Sequence, residues 1–193
     1  SRNLSRRSSS RASRQSARSF VKGSTAMPVR LGYLLVIVIV GCRGAVDQDM
    51  DGFAAAGITI KQNSAGEIYW VDTAGADLPN HFWKNLLAFE HIEQLALTGS
   101  LVTDADLPQL TSLHTLRSLD LSYTRITSSG LSVLSRMEDL QTLSLNGVSL
   151  DEMAIEPLGQ LTRLQSLSLM DCGLSAEETV KVQNALPACL VVR

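Results

Sequence analysis

"LRSLDLSYTRITSSGLSVLSRM", from Leu116 to Met137, decides the fold because its apolar period changes halfway along. Leu119 and Leu121 alternate with polar residues at the period of 2 that marks a strand, and Leu131, Leu134 and Met137 then recur every three residues, along one helix face. One short strand and one short helix cannot enclose a core by themselves. The unit needs neighbours of its own kind to cover its apolar face.

Those neighbours are present. The leucine pair Leu119/Leu121 returns as Leu95/Leu97, Leu143/Leu145 and Leu167/Leu169, always 24 residues apart, and the same step reaches Val71 in one direction and Val191 in the other. Six strand positions are therefore expected. Other columns keep this phase, among them Ile92, Leu116, Leu140, Leu164 and Leu86, Leu110, Leu134, Leu158, Val182.

The two ends need caps. "GITIKQNSAGEIYWVD", from Gly57 to Asp72, alternates around the turn cluster Asn63 to Gly66 and predicts a hairpin covering the edge of the Val71 strand. At the other end Pro187 stops the last helix and "CLVV" closes the sheet. Six of the nine aromatics (Phe53, Tyr69, Trp70, Phe82, Trp83, Phe89) lie between residues 53 and 89. They either plug the first repeat or form a binding patch.

The segments "LRSLDLSYTRI", "LQTLSLNGVSL" and "LQSLSLMDCGL" resemble the leucine-rich repeat family, and the resemblance covers roughly residues 58 to 193. It implies an α/β solenoid of horseshoe form, with a parallel sheet on the concave side, short helices on the convex side and, here, an N-terminal hairpin cap. The helical half of each unit is most similar to the 24-residue bacterial subclass. One column departs from the family pattern: its Asn/Cys position reads Ser100, Thr124, Val148, Cys172, so no continuous asparagine ladder joins the loops. Ser and Thr can do part of that work, and Val148 cannot.

The expected helix starts form a column of their own, Thr103, Thr127, Asp151 and Ser175, whose side-chain oxygens can accept an orphan amide at an N-cap. Ser175 with Glu178 and Thr103 with Asp106 have capping-box spacing. These polar pairs recur with the fold, so they read as capping groups and not as catalytic ones.

The N-terminal part is different material. Residues 1 to 26 hold nine serines, six arginines, one lysine and no acid, which reads as a disordered or removed Arg/Ser-rich extension. Residues 27 to 41, "MPVRLGYLLVIVIVG", read as a signal peptide, and Ile39-Val40-Gly41-Cys42 resembles the lipobox of bacterial lipoproteins. That resemblance implies a diacylglyceryl group on Cys42, a membrane anchor and a bacterial cell-envelope location, with a secreted or periplasmic protein as the alternative. The apolar run falls short of the about 20 residues a bilayer span takes. If the first 26 residues belong to the protein, an organelle transit peptide is a further alternative.

Residues 42 to 56 read as a flexible acidic linker, and 57 to 193 as the repeat domain. Within the linker "DQDMDG", residues 47 to 52, resembles the first half of a calcium loop, but position 12 is Ile58 where a bidentate Glu is needed. No metal or cofactor is expected. Eight of the 17 basic residues precede Cys42 and all 19 acids follow it, so the repeats offer phosphates no basic stripe and nucleic acid is not an expected partner. His81, His91 and His114 sit at unrelated repeat phases and no serine lies in a G-x-S-x-G elbow, which argues against an enzyme. In register, Cys172 and Cys189 lie about 23 Å apart at strand rise, beyond the about 7 Å a disulfide allows, so two free thiols are expected.

The remaining candidate site is the outer face of the sheet. Its centre column is Asp72, Ala96, Asp120, Ser144, Ser168, flanked by Gln94, Ser118, Thr142, Ser166 and by Thr98, Ser122, Asn146, Met170. Six strands give a face of about 400 Å², half the usual ~800 Å² per partner, and it lacks large anchors. The candidate site therefore includes the loop residues Tyr123 and Arg125. The expected function is a non-catalytic, lipid-anchored module that recognises a protein or cell-envelope ligand. The alternative is a structural or accessory subunit that packs against a larger complex.

Overall fold

The computed structural model describes residues 53–73, 75–78 and 81–193, all within one compact unit. The extension at 1–26, the signal peptide at 27–41, Cys42 and the calcium-loop-like hexapeptide at 47–52 lie outside the described residues.

Seven strands form one sheet in chain order: β1 (Thr59–Gln62), β2 (Ile68–Asp72), β3 (Gln94–Ala96), β4 (Ser118–Asp120), β5 (Thr142–Ser144), β6 (Ser166–Ser168) and β7 (Leu190–Val192). β1 is the antiparallel hairpin partner of β2, and every later pair is parallel. Val71, Leu95, Leu119, Leu143, Leu167 and Val191 stand side by side, so the 24-residue register holds at each strand. The chain returns between strands through α1 (Phe82–Leu86), α2 (Leu107–Leu110), α3 (Ser128–Leu134), α4 (Ile155–Gly159, after a 3-10 turn at Glu152–Ala154) and α5 (Ala176–Ala185).

The leucine columns are the core. Leu119, Leu121, Leu143 and Leu145 are all 0% exposed, and burying a leucine of this kind contributes about 1.5–3 kcal/mol. Backbone bonds hold the register beside them. The Glu93 carbonyl accepts from both Arg117 (2.9 Å) and Ser118 (3.0 Å), and the Arg117 carbonyl accepts in the same way from Gln141 (2.8 Å) and Thr142 (2.9 Å).

The departed asparagine column closes turns inside its own repeats. Ser100 Oγ donates to the Leu97 carbonyl and Thr124 Oγ1 to the Leu121 carbonyl, both at 2.6 Å, and Cys172 Sγ donates to Leu169 at 2.9 Å. At Val148 the backbone amide alone makes the equivalent bond, to Leu145 at 3.2 Å.

Three of the four expected caps form. Thr127 accepts from the Ser129 amide (3.3 Å), Asp151 from the Met153 amide (3.0 Å), and Ser175 with Glu178 makes a complete capping box. Thr103 does not cap a helix, because α2 begins only at Leu107 with Pro108 in its first turn. Half of the expected box survives: the Asp106 carboxylate accepts from the Thr103 amide and hydroxyl, both at 2.9 Å. A second set of bonds joins successive repeats. Asp104 accepts from the Thr127 amide (2.8 Å) and hydroxyl (2.7 Å), and Ser128 Oγ accepts from the Asp151 amide (2.9 Å).

Residues 53–56, assigned to the linker from their composition, include part of the core. Phe53 is 1% exposed, its ring is 5.7 Å from Phe82 and 6.2 Å from Phe89, and its carbonyl accepts from Ile58 at 2.9 Å. A single large ring in a small-residue stretch suffices to anchor it. Phe53, Phe82, Trp83 and Phe89 thus plug the first repeat, whereas Trp70 lies in the sheet beneath Lys61 Nζ, 3.9 Å from the ring centroid. Glu67 ties the hairpin to the next loop through His91 (3.2 Å). Cys172 and Cys189 are free and buried, and burial pushes the Cys189 thiol up. Among the described residues no helix is long and apolar enough to cross a membrane.

Candidate binding surface

Strand register brings Asp72, Ala96, Asp120, Ser144 and Ser168 together in one row that ends on Val192. All five are half-buried, and Gln94 beside them is exposed. The row is shallow and polar in the middle and apolar at its end, where Leu190 is 66% and Val192 39% exposed. Towards the starts of the strands, Glu93, Gln94, Arg117, Ser118, Gln141 and Thr142 line a cavity of ≈ 260 Å³.

Ser122 is a correction to the sequence-derived site. It is 2% exposed, so it offers a ligand nothing. β4 ends at Asp120, and the alternation that placed Ser122 on the outer face stops with the strand. Its polar atoms serve the loops: Asp120 Oδ1 accepts from the Ser122 amide (2.8 Å), and Ser122 Oγ accepts from the Asn146 amide (3.2 Å). Asn146 Oδ1 in turn accepts from Ser168 Oγ (2.7 Å) and the Met170 amide (2.9 Å). The side chains of Asp120, Asn146 and Ser168 are therefore partly committed to joining repeats, which fixes the loops that follow the strands.

Those loops share a left-handed column. Gly75, Gly99, Tyr123, Gly147 and Asp171 have φ of 74, 69, 56, 66 and 53°. Glycine adopts this conformation freely, whereas a side chain there costs roughly 1–2 kcal/mol. Tyr123 nonetheless stands in it, 61% exposed, with its amide bonded to the Asn146 carbonyl (2.7 Å) and its ring against Gly147 where a Cβ would otherwise sit. The interruption of this glycine column is visible in the sequence once the 24-residue register is known, although it is the structure that shows what the column does.

Arg125 lies two residues further along the same loop. Its amide donates to the Val102 carbonyl (2.9 Å), and a bridge to Thr103 sets it beside the preceding loop. Arg125 is exposed, and among the described residues its guanidinium has no ion-pair partner. Leu101 in that preceding loop is 57% exposed. Sequence reasoning missed Leu101, since an isolated apolar residue after a strand carries no periodic signal.

The histidines do not converge. His81, His91 and His114 are all exposed, and among the described residues no three His, Cys, Asp or Glu side chains are placed to hold a metal ion.

A leucine-rich repeat family model matches residues 112–135, the stretch that holds β4 and α3. Three solved structures are similar to this chain. A leucine-rich repeat protein of Leptospira interrogans is 22% identical with a TM-score of 0.45, the match covering 56% of this chain and 27% of that one. The actin-binding site 2 of leiomodin-1 is 18% identical with a TM-score of 0.52, covering 76% and 90%. An internalin from Listeria monocytogenes is 16% identical with a TM-score of 0.40, covering 76% and 54%. The chain thus spans only about a quarter of the Leptospira protein and about half of the internalin. Among curated proteins none matches. The fold is a leucine-rich repeat solenoid.

Proposed function

We propose that the chain is a non-catalytic recognition module whose loop edge and adjoining sheet face bind a protein. One observation carries this reading: an exposed tyrosine is held at a backbone conformation that the same column elsewhere gives mostly to glycine. Strain kept at an exposed aromatic residue is a mark of a binding position, and tyrosine is among the residues that dominate protein interfaces. Binding of proteins by leucine-rich repeats, such as the actin-binding site named for leiomodin-1, is consistent with it.

A photo-crosslinking amino acid at position 123, in the cells that make the protein, tests the reading. A discrete protein adduct from position 123 and none from the exposed helical position Ser132 supports it; no adduct, or equal adducts from both, removes it. The accessory-subunit alternative calls for a contiguous apolar patch on the helical side, where Leu87, Met153 and Val180 are exposed.

The lipid anchor at Cys42 and the cell-envelope location are part of the same proposal and rest on "MPVRLGYLLVIVIVGC", residues 27–42. Mass spectrometry of the membrane fraction tests them. The expected N-terminus is Cys42 with a diacylglyceryl mass; an unmodified Cys42 inside a longer peptide rules the anchor out.

A further inference from the structure

We infer that the partner is held by a three-residue knob on the loop edge, Leu101, Tyr123 and Arg125, and that it presents a carboxylate set among apolar side chains. The inference rests on the protein-recognition reading above and names the chemistry of the partner.

The knob is defined by what stands beside it. Leu101 and Tyr123 are 57% and 61% exposed, and the Arg125-to-Val102 backbone bond joins the two loops that carry the three side chains. Positions one repeat away in the same columns are Asp77, Gly99, Gly147 and Ser149, and two repeats away Gly75, Asp171 and Gly173, all smaller side chains than Leu101, Tyr123 and Arg125. Leucine and tyrosine supply apolar area, and tyrosine and arginine are the residues on which interface energy concentrates.

Arg125 sets the charge of the partner. An exposed guanidinium without an ion-pair partner matches a carboxylate, which it can grip through two parallel hydrogen bonds. A long acidic run does not fit, because the chain from Cys42 onward carries 19 acids against nine bases and repels a polyanion. One acid flanked by aliphatic or aromatic residues satisfies both conditions.

Selection of a random phage-displayed peptide library on the full-length protein tests this. The expected peptides carry Asp or Glu next to an apolar residue. Affinity of a synthetic selected peptide should fall about tenfold or more with Arg125→Glu and with Leu101→Ser, and changing its acid to Lys should restore binding to the Arg125→Glu protein. Peptides without an acid, or a charge swap that restores nothing, overturn the inference. Peptides indifferent to both variants but lost with Ser144→Arg place binding on the sheet face; the recognition reading then stands and the knob does not. Failure to select any peptide while position 123 still crosslinks removes the chemistry inferred for the partner and leaves the recognition reading standing, and failure of both experiments removes the recognition reading as well.

Discussion

The ring of Tyr123 occupies the space that a Cβ on Gly147 would need, which couples two positions one repeat apart. Gly147 has a φ of 66°, so its lack of a side chain answers both a conformational and a steric demand. Gly147→Ala is expected to destabilise the protein by about 1–3 kcal/mol in urea denaturation. Combined with Tyr123→Ala, the loss should be smaller than the sum of the two by at least about 0.5 kcal/mol, since the clash is gone. Strict additivity would show that the ring lies elsewhere.

Tyr123→Gly separates folding from recognition. Relief of the left-handed tyrosine offsets the lost ring packing, so stability is expected to stay within about 1 kcal/mol of the parent while partner binding is lost. A large fall in melting temperature would mean that the tyrosine is kept for stability.

Asp104 is expected to matter more than its exposed surroundings suggest. Its carboxylate accepts two bonds from Thr127, the cap of the next repeat, so Asp104→Ala should cost about 0.5–2 kcal/mol. Ser132→Ala, which removes only a bond to the preceding turn of its own helix, serves as the control and should fall within about 0.5 kcal/mol.

The Ser175–Glu178 box gives the last helix a pH dependence of definite sign. The hydrogen bond from the Ser175 backbone amide, aided by the Ser175 side chain, holds the Glu178 carboxyl below its ordinary value. A carboxyl lowered in the folded state stabilises fully above the ordinary carboxylate range, and the contribution is lost as pH falls through the lowered value. NMR titration should show the Glu178 midpoint below the ordinary carboxylate range, and moving only part of the way up in Ser175→Gly, which keeps the backbone amide; an ordinary midpoint in the parent would discount the box.

Cys172 and Cys189 are 3% and 4% exposed, so neither is open to a reagent in the folded chain, and burial raises the Cys189 thiol. Residue-resolved alkylation followed by mass spectrometry should label both only after denaturant is added. Rapid labelling of Cys189 in buffer would show that the C-terminal turn opens.

The candidate site was less legible than the fold for identifiable reasons. Asp72, Ala96, Asp120, Ser144 and Ser168 could be aligned because they sit within strands, where side chains alternate strictly. Ser122 was misplaced because that rule was carried two residues past the end of β4. Thr103 was misassigned because its column predicts a helix start, and the helix at Leu107 begins later than in the other repeats. Phe53 lay in a stretch whose composition resembles a linker, and only its packing on Phe82 shows otherwise.

By itself the sequence determined the repeat, its register, the two caps and the free thiols, since burial of leucine at a constant interval leaves one way to stack the units. Tertiary structure alone decided which polar side chains face solvent. Ser122, Asp104 and Asn146 bond across repeats, and such bonds depend on the direction of loops that no periodicity encodes. It also decided that Tyr123 stands on Gly147 in a glycine conformation, because the cost of that arrangement exists only once the two loops are stacked.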